Sequence, residues 1–156
     1  MRHFISYFND SVKKYWDLPA VTNYGKETYT YAQMAEGIEK YHILFEESGI
    51  KKGDKVAIYA RNSAEWCIAY YATLTYDAVT VPFLPDFLPA AVVELATFSE
   101  CKMLIVDDIA SNGLSASPEL FEQLETTKEF VGVLNIKDFK VLRDSSGILA
   151  KTCGTI

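Results

Sequence analysis

Residues 51–83, KKGDKVAIYARNSAEWCIAYYATLTYDAVTVPF, decide the fold. Gly53-Asp54 marks a turn and Val56–Tyr59 is a short run of strand formers. Asn62 with Glu65 reads as a capping pair that opens a helix. From Ala64 to Tyr76 the residues are apolar on nearly every face, the pattern of a helix buried on several sides. Ala78–Phe83 is the next strand, with Pro82 tolerable only near its end or on a sheet edge. Strand, helix, strand is the unit from which parallel α/β sheets are built. Nucleotide-binding versions usually place a glycine-rich phosphate cradle after the first strand. Here that junction is Ala60-Arg61-Asn62-Ser63, and it contains no glycine.

The same alternation extends outward. Towards the N-terminus, Phe4, Ile5, Phe8, Val12, Tyr15 and Trp16 recur at helical spacing. Ala20–Tyr24 and Thr28–Thr30 flank Gly25-Lys26 as a β-hairpin. Thr30 and Gln33 form a capping box for a helix with Met34, Ile38, Tyr41 and Phe45 on one face, stopped by Gly49. Towards the C-terminus, Pro89–Phe98 reads as a helix with proline at its first position, and Met103–Val106 as a buried strand. After Asp107-Asp108 the stretch IASNGLSASPEL is turn-rich. Pro118–Lys128 is expected to form a helix capped by Ser117, and Phe130–Leu134 a strand. The closing RDSSGILAKTCGTI has no clear period, and KTCGTI reads as a frayed end. The expectation is an α/β fold over residues 1–156, one domain: a mostly parallel sheet, flanking helices and an N-terminal β-hairpin.

Composition narrows the function classes. A chain of 156 residues with 49% apolar and 23% charged residues has enough material for one ordinary core. Its formal net charge of −6 repels a phosphate backbone, and no run of Lys or Arg offsets it, so nucleic acid is not an expected partner. Cys67, Cys101 and Cys153 form no Cys-x-x-Cys pair, which suits a reducing compartment and points to the cytoplasm. No apolar run of about 18 residues is present, so no membrane span is expected.

Candidate chemistry is sparse. The glycines, at 25, 37, 49, 53, 113, 132, 147 and 154, never cluster into a phosphate loop. Asp107-Asp108 follows an apolar strand, where α/β proteins bind ligands, but the pair lacks a third ligand for a cation and reads as a solvated loop. His3 and His42 sit in helices with no nucleophile or acid marked beside them, and read as structural. Asn62 stands at a strand exit, and capping alone explains an Asn there.

The wording of the chain is itself informative. Tyr29-Thr30-Tyr31, Gly49-Ile50, Gly53 to Ile58, Asn62 with Glu65-Trp66, Ala78-Val79 and Val81-Pro82 occur in the order and spacing of one family. Residues 18–108 resemble the N-terminal part of the adenylate-forming, or AMP-binding, enzymes, most closely the long-chain fatty acid–CoA ligase branch. Residues 109–156 form a more weakly matched tail. Asp77 stands where that family usually has Gly. The resemblance implies an ATP-dependent enzyme that makes acyl-AMP and then acyl-CoA. It also implies that the phosphate loop, the adenine and ribose contacts and a catalytic lysine belong to later parts of a much longer chain. No catalytic, cofactor-binding or metal residue is therefore assigned here; ATP, Mg²⁺ and coenzyme A are implied only for a full-length member. The expected state is an N-terminal fragment, catalytically inactive and self-associating as a dimer through Phe4, Phe8 and Trp16 or the residues after Asp108. A stand-alone binding module that kept the fold is the alternative.

Overall fold

The computed structural model describes residues 3–156. Helix α1 (Phe4–Lys14) leads into an antiparallel hairpin of β1 (Pro19–Thr22) and β2 (Thr28–Thr30). Then follow α2 (Tyr31–Glu47), β3 (Lys55–Tyr59), α3 (Ala64–Thr75), β4 (Val79–Phe83), α4 (Pro89–Phe98) and β5 (Cys101–Val106). The chain continues through α5 (Asp108–Ser115), α6 (Glu119–Leu124), β6 (Gly132–Asn135), β7 (Val141–Asp144) and α7 (Leu149–Cys153). Five strands form the main sheet in the order β4-β3-β5-β6-β7, parallel except for the edge strand β7. The expected α/β architecture is the one observed.

Alternation along the strands divides the core into two layers. Val56, Ile58, Met103 and Ile105 face Ile38, Phe45, Ile68 and Ala72 of α2 and α3. Ala57, Tyr59, Leu104 and Val106 face Val92, Val93, Leu114 and Leu124 of α4, α5 and α6. The local signals that set these elements are present. Thr30 and Gln33 complete the capping box, and Gly49 adopts φ 77° just past α2. Asp77 adopts φ 64°, the conformation that favours glycine, and its carboxylate holds Lys52 at 2.9 Å. Pro82 lies near the end of β4, which is an edge strand.

Four expectations are corrected. The N-cap of α3 is Ser63, not Asn62: its hydroxyl accepts from the Trp66 amide at 3.0 Å. Helix α3 is fully buried along one face, at Ala64, Glu65, Ile68, Ala69, Ala72 and Thr73, and only partly on its other sides, where Trp66 packs against the core and stacks on Tyr70. The turn-rich stretch after Asp107 forms α5, and α6 is shorter than the 118–128 helix and has no side-chain cap. The closing residues are helical rather than frayed: Leu149 and Thr152 are buried, and Cys153 and Ile156 pack against the core. Gly132 joins this end to the sheet. At its φ of 153° a Cβ would stand 2.2 Å from the Arg143 carbonyl oxygen and 2.6 Å from Leu149 Cδ1.

Candidate functional site

Strand β3 is followed by β4 on one side and β5 on the other, so the order of the sheet reverses between β3 and β5. Ligands of open α/β sheets bind beyond the carboxyl ends of the strands at such a reversal. Here Asp107 lies across it. Its Oδ2 accepts from the Arg61 amide and from Arg61 Nε, both at 3.1 Å, and its Oδ1 accepts from the Ala110 amide at 2.9 Å, capping α5. Burial pushes the Asp107 carboxyl upward, but those amides and the guanidinium outweigh it and hold it below the usual carboxylate range. A helix start at this place could attract an anion; a fixed carboxylate repels one. The start of α5, filled by its own cap, therefore does not fit an anion.

An open cleft of about 300 Å³ lies over the same rim, with Lys26, Arg61, Asn62, Ser63, Asp108 and Lys137 among its lining residues. Asn62 is exposed there. Asp108 accepts from Asn135 Nδ2 at 2.8 Å and stands 3.8 Å from Lys137 Nζ. The two aspartates thus do different structural work, one capping and clasping, the other tying α5 to the end of β6. Among the described residues, no group of three or more His, Cys, Asp or Glu is placed to hold a metal ion.

The cleft's inner wall is a polar clasp that the sequence does not announce. Glu65 in α3 is only 8% exposed. Tyr29 Oη donates to its Oε1 at 2.8 Å, and Asn23 Nδ2 bridges both oxygens at 3.3 and 3.1 Å. Asn23 Oδ1 in turn accepts from the Ala64 amide at 2.7 Å, so the hairpin is tied to the start of α3. Burial raises the Glu65 carboxyl, yet its own amide, Tyr29, Asn23 and Ser63 together hold it below the usual range. Tyr29, buried against this carboxylate, is pushed up to about 12. Reading Glu65 as half of a local capping pair misses this, because Asn23 and Tyr29 are 42 and 36 residues away.

The histidines are structural in their contacts. His3 caps α1, its Nδ1 accepting from the Ile5 amide. His42 Nε2 lies 3.1 Å from the Ala72 carbonyl and 2.9 Å from Thr75 Oγ1, joining α2 to α3. Cys67, Cys101 and Cys153 are free thiols; burial pushes Cys101 up to about 11, so it is an inert core group.

A model of one enzyme family matches residues 8–149, nearly the whole chain, and its description is AMP-binding enzyme. This chain belongs to that family. A long-chain-fatty-acid–CoA ligase of Escherichia coli O6:H1 is 26% identical over 151 residues, covering 88% of this chain and 27% of that protein. An acetyl-coenzyme A synthetase of Desulfatibacillum aliphaticivorans is 30% identical over 91 residues, 58% of this chain and 14% of that protein. The chain thus spans about a quarter or less of these curated relatives. Among solved structures, the inhibitor-bound N-terminal domain of FACL13 from Mycobacterium tuberculosis superposes with a TM-score of 0.74 at 21% identity, over 99% of this chain and 36% of that one. The α/β architecture is therefore that of the N-terminal domains of adenylate-forming enzymes.

Proposed function

We propose that this chain forms the first α/β layer of an ATP-dependent long-chain fatty acid–CoA ligase and performs no adenylation alone. The observation that carries the reading is the family match over residues 8–149 in a chain whose sheet-reversal crevice holds the Asp107–Arg61 clasp. Two curated relatives named as long-chain-fatty-acid–CoA ligases support the acyl class. Adenylation needs positioned amides, cations or Mg²⁺ around the transferring phosphate; at the sheet reversal the α5 start is already capped by Asp107, which also holds the Arg61 guanidinium. Incubated with ATP, Mg²⁺ and a panel of fatty acids, the purified chain releases no pyrophosphate above background; steady turnover overturns the proposal. A reading frame continuing past codon 156 into a Thr/Ser/Gly-rich loop supports the fragment reading. A stop followed by unrelated sequence favours a stand-alone binding module.

The same reading includes self-association in the cytoplasm. Phe4, Trp16, Leu84, Leu88, Phe98 and Ile109 are exposed, apolar surface of the kind that partners cover. Phe8 is less available, being stacked on Tyr71 at 4.2 Å. Three free thiols suit a reducing compartment, and among the described residues no helix is long and apolar enough to cross a membrane. Light scattering across a dilution series checks this; a strict monomer at high concentration counts against it.

A further inference from the structure

A second cavity, of about 260 Å³, opens on the other side of Glu65, between α2, α3 and residues 136–139. We propose that it binds a small organic cation, a primary ammonium carried on a compact apolar group, with Glu65 as counter-ion. The walls are Ile68, Ile136, Tyr41 and Phe139, the last two rings 4.7 Å apart. Gly37 also lines the cavity and brings no side chain into it. Glu65, itself almost wholly buried, lines this cavity as well as the open cleft.

The charge on that carboxylate is what selects the ligand. Its hydrogen-bond donors, Tyr29, Asn23, Ser63 and its own amide, are neutral, and among the described residues no Lys, Arg or His forms an ion pair with it. Neutral donors keep the group ionised but leave its negative field uncancelled in a poorly solvated place, where a cation gains most. Oε2 accepts from Asn23 at 3.1 Å, and a carboxylate oxygen can accept from a further donor. The two lysines at the cavity rim do not fill this role: Lys40 donates to the Ile156 carbonyl oxygen at 3.2 Å and Lys137 stands beside Asp108. Glu36 adds a second negative group to the lining. An ammonium with an apolar body matches a lining that combines a carboxylate with apolar and aromatic side chains.

Three probes of one shape decide the matter: benzylammonium, neutral benzyl alcohol and anionic benzoate, followed by NMR shifts of the intact chain. Benzylammonium is expected to move the signals of Tyr29, Ile68 and Phe139 saturably, with a Kd on the order of millimolar. The other two bind at least about tenfold more weakly, a difference of one decade in Kd. Glu65→Gln keeps the size and most hydrogen-bonding capacity and lowers benzylammonium affinity by a similar factor. If that variant does not fold, the comparison of the three probes on the unaltered chain stands by itself. Equal affinity for alcohol and ammonium, stronger benzoate binding, or shifts confined to other surfaces overturns the proposal. The inference does not depend on acyl activation, and the pyrophosphate assay leaves it unaffected.

Discussion

Asp107 takes both the backbone amide and the guanidinium Nε of Arg61, each at 3.1 Å, across 46 residues of chain. One carboxylate therefore closes the point where the sheet changes direction and also starts the next helix. Asp107→Ala removes the α5 cap and leaves the Arg61 amide without its acceptor, which should cost about 2–4 kcal/mol in urea unfolding. Arg61→Ala, at a largely exposed side chain, should cost about 1 kcal/mol or less. The double variant should lose less than the sum, with a coupling of up to about 1 kcal/mol, the whole of the Arg61 effect. Strict additivity would mean that the clasp is an incidental surface contact.

Gly132→Ala is expected to be the most damaging small substitution in the sheet. The added Cβ meets a backbone oxygen at 2.2 Å, which cannot rotate away, and Leu149 Cδ1 at 2.6 Å. Loss of about 3 kcal/mol or more is expected, enough to unfold a chain of ordinary stability. Circular dichroism melting tests it, and a Tm within a degree or two of the parent contradicts the backbone assignment at β6.

Acid should destabilise the chain through its clasped carboxylates. Arg143 and Ser145 hydrogen bonds hold Glu125 down to about 2, and Glu65, Asp107 and Asp144 also lie below the usual carboxylate range. Groups lowered on folding contribute stability above their unfolded pKa values, about 4, and lose it as pH falls through their folded values. Tm should therefore be flat near neutrality, fall below about pH 4.5, and keep falling towards pH 2 as Glu125 protonates. Arg143→Met should flatten the lowest part of that curve. A melting temperature constant from pH 5 to 2.5 would show that these pairs do not matter.

Trp66 provides an optical check on α3. Partly buried and stacked on Tyr70 at 5.0 Å, it should emit at an intermediate wavelength and be quenched by acrylamide more readily than a core tryptophan. Full protection from quencher would mean that another surface covers this face in solution.

Much of the fold is legible because its signals are local. The Thr30–Gln33 box, Pro89 at the start of α4 and Gly49 after α2 each act within a few residues, and alternation separates strand from helix. The misses share a different cause. Asn62 and Ser63 are both good caps, and only the geometry of the strand exit chooses between them. Residues 108–115 carry Ser, Asn and Gly, which favour turns; burial of Ala110 and Leu114 against the sheet makes them helical. The site was least legible of all. Arg61 with Asp107, and Glu65 with Asn23 and Tyr29, are brought together only by the crossovers, so no spacing in the chain announces them.

Pro82 has a consequence for what the sheet can grow into. The Val79 amide bonds inward to Asp54 O, so alternation turns Thr80 and Pro82 outward along β4. Proline has no amide hydrogen, which leaves Thr80 as the single outward donor among those two positions. A strand arriving from another molecule thus finds half a ladder, and templated polymerisation at this border is disfavoured. The opposite border, β7, is four residues long and carries Arg143 and Asp144. Pro82→Val would restore the missing donor, and thioflavin fluorescence under mild agitation should then rise after a shorter lag than for the parent chain. Equal lag times would place the barrier to fibril formation elsewhere in the molecule.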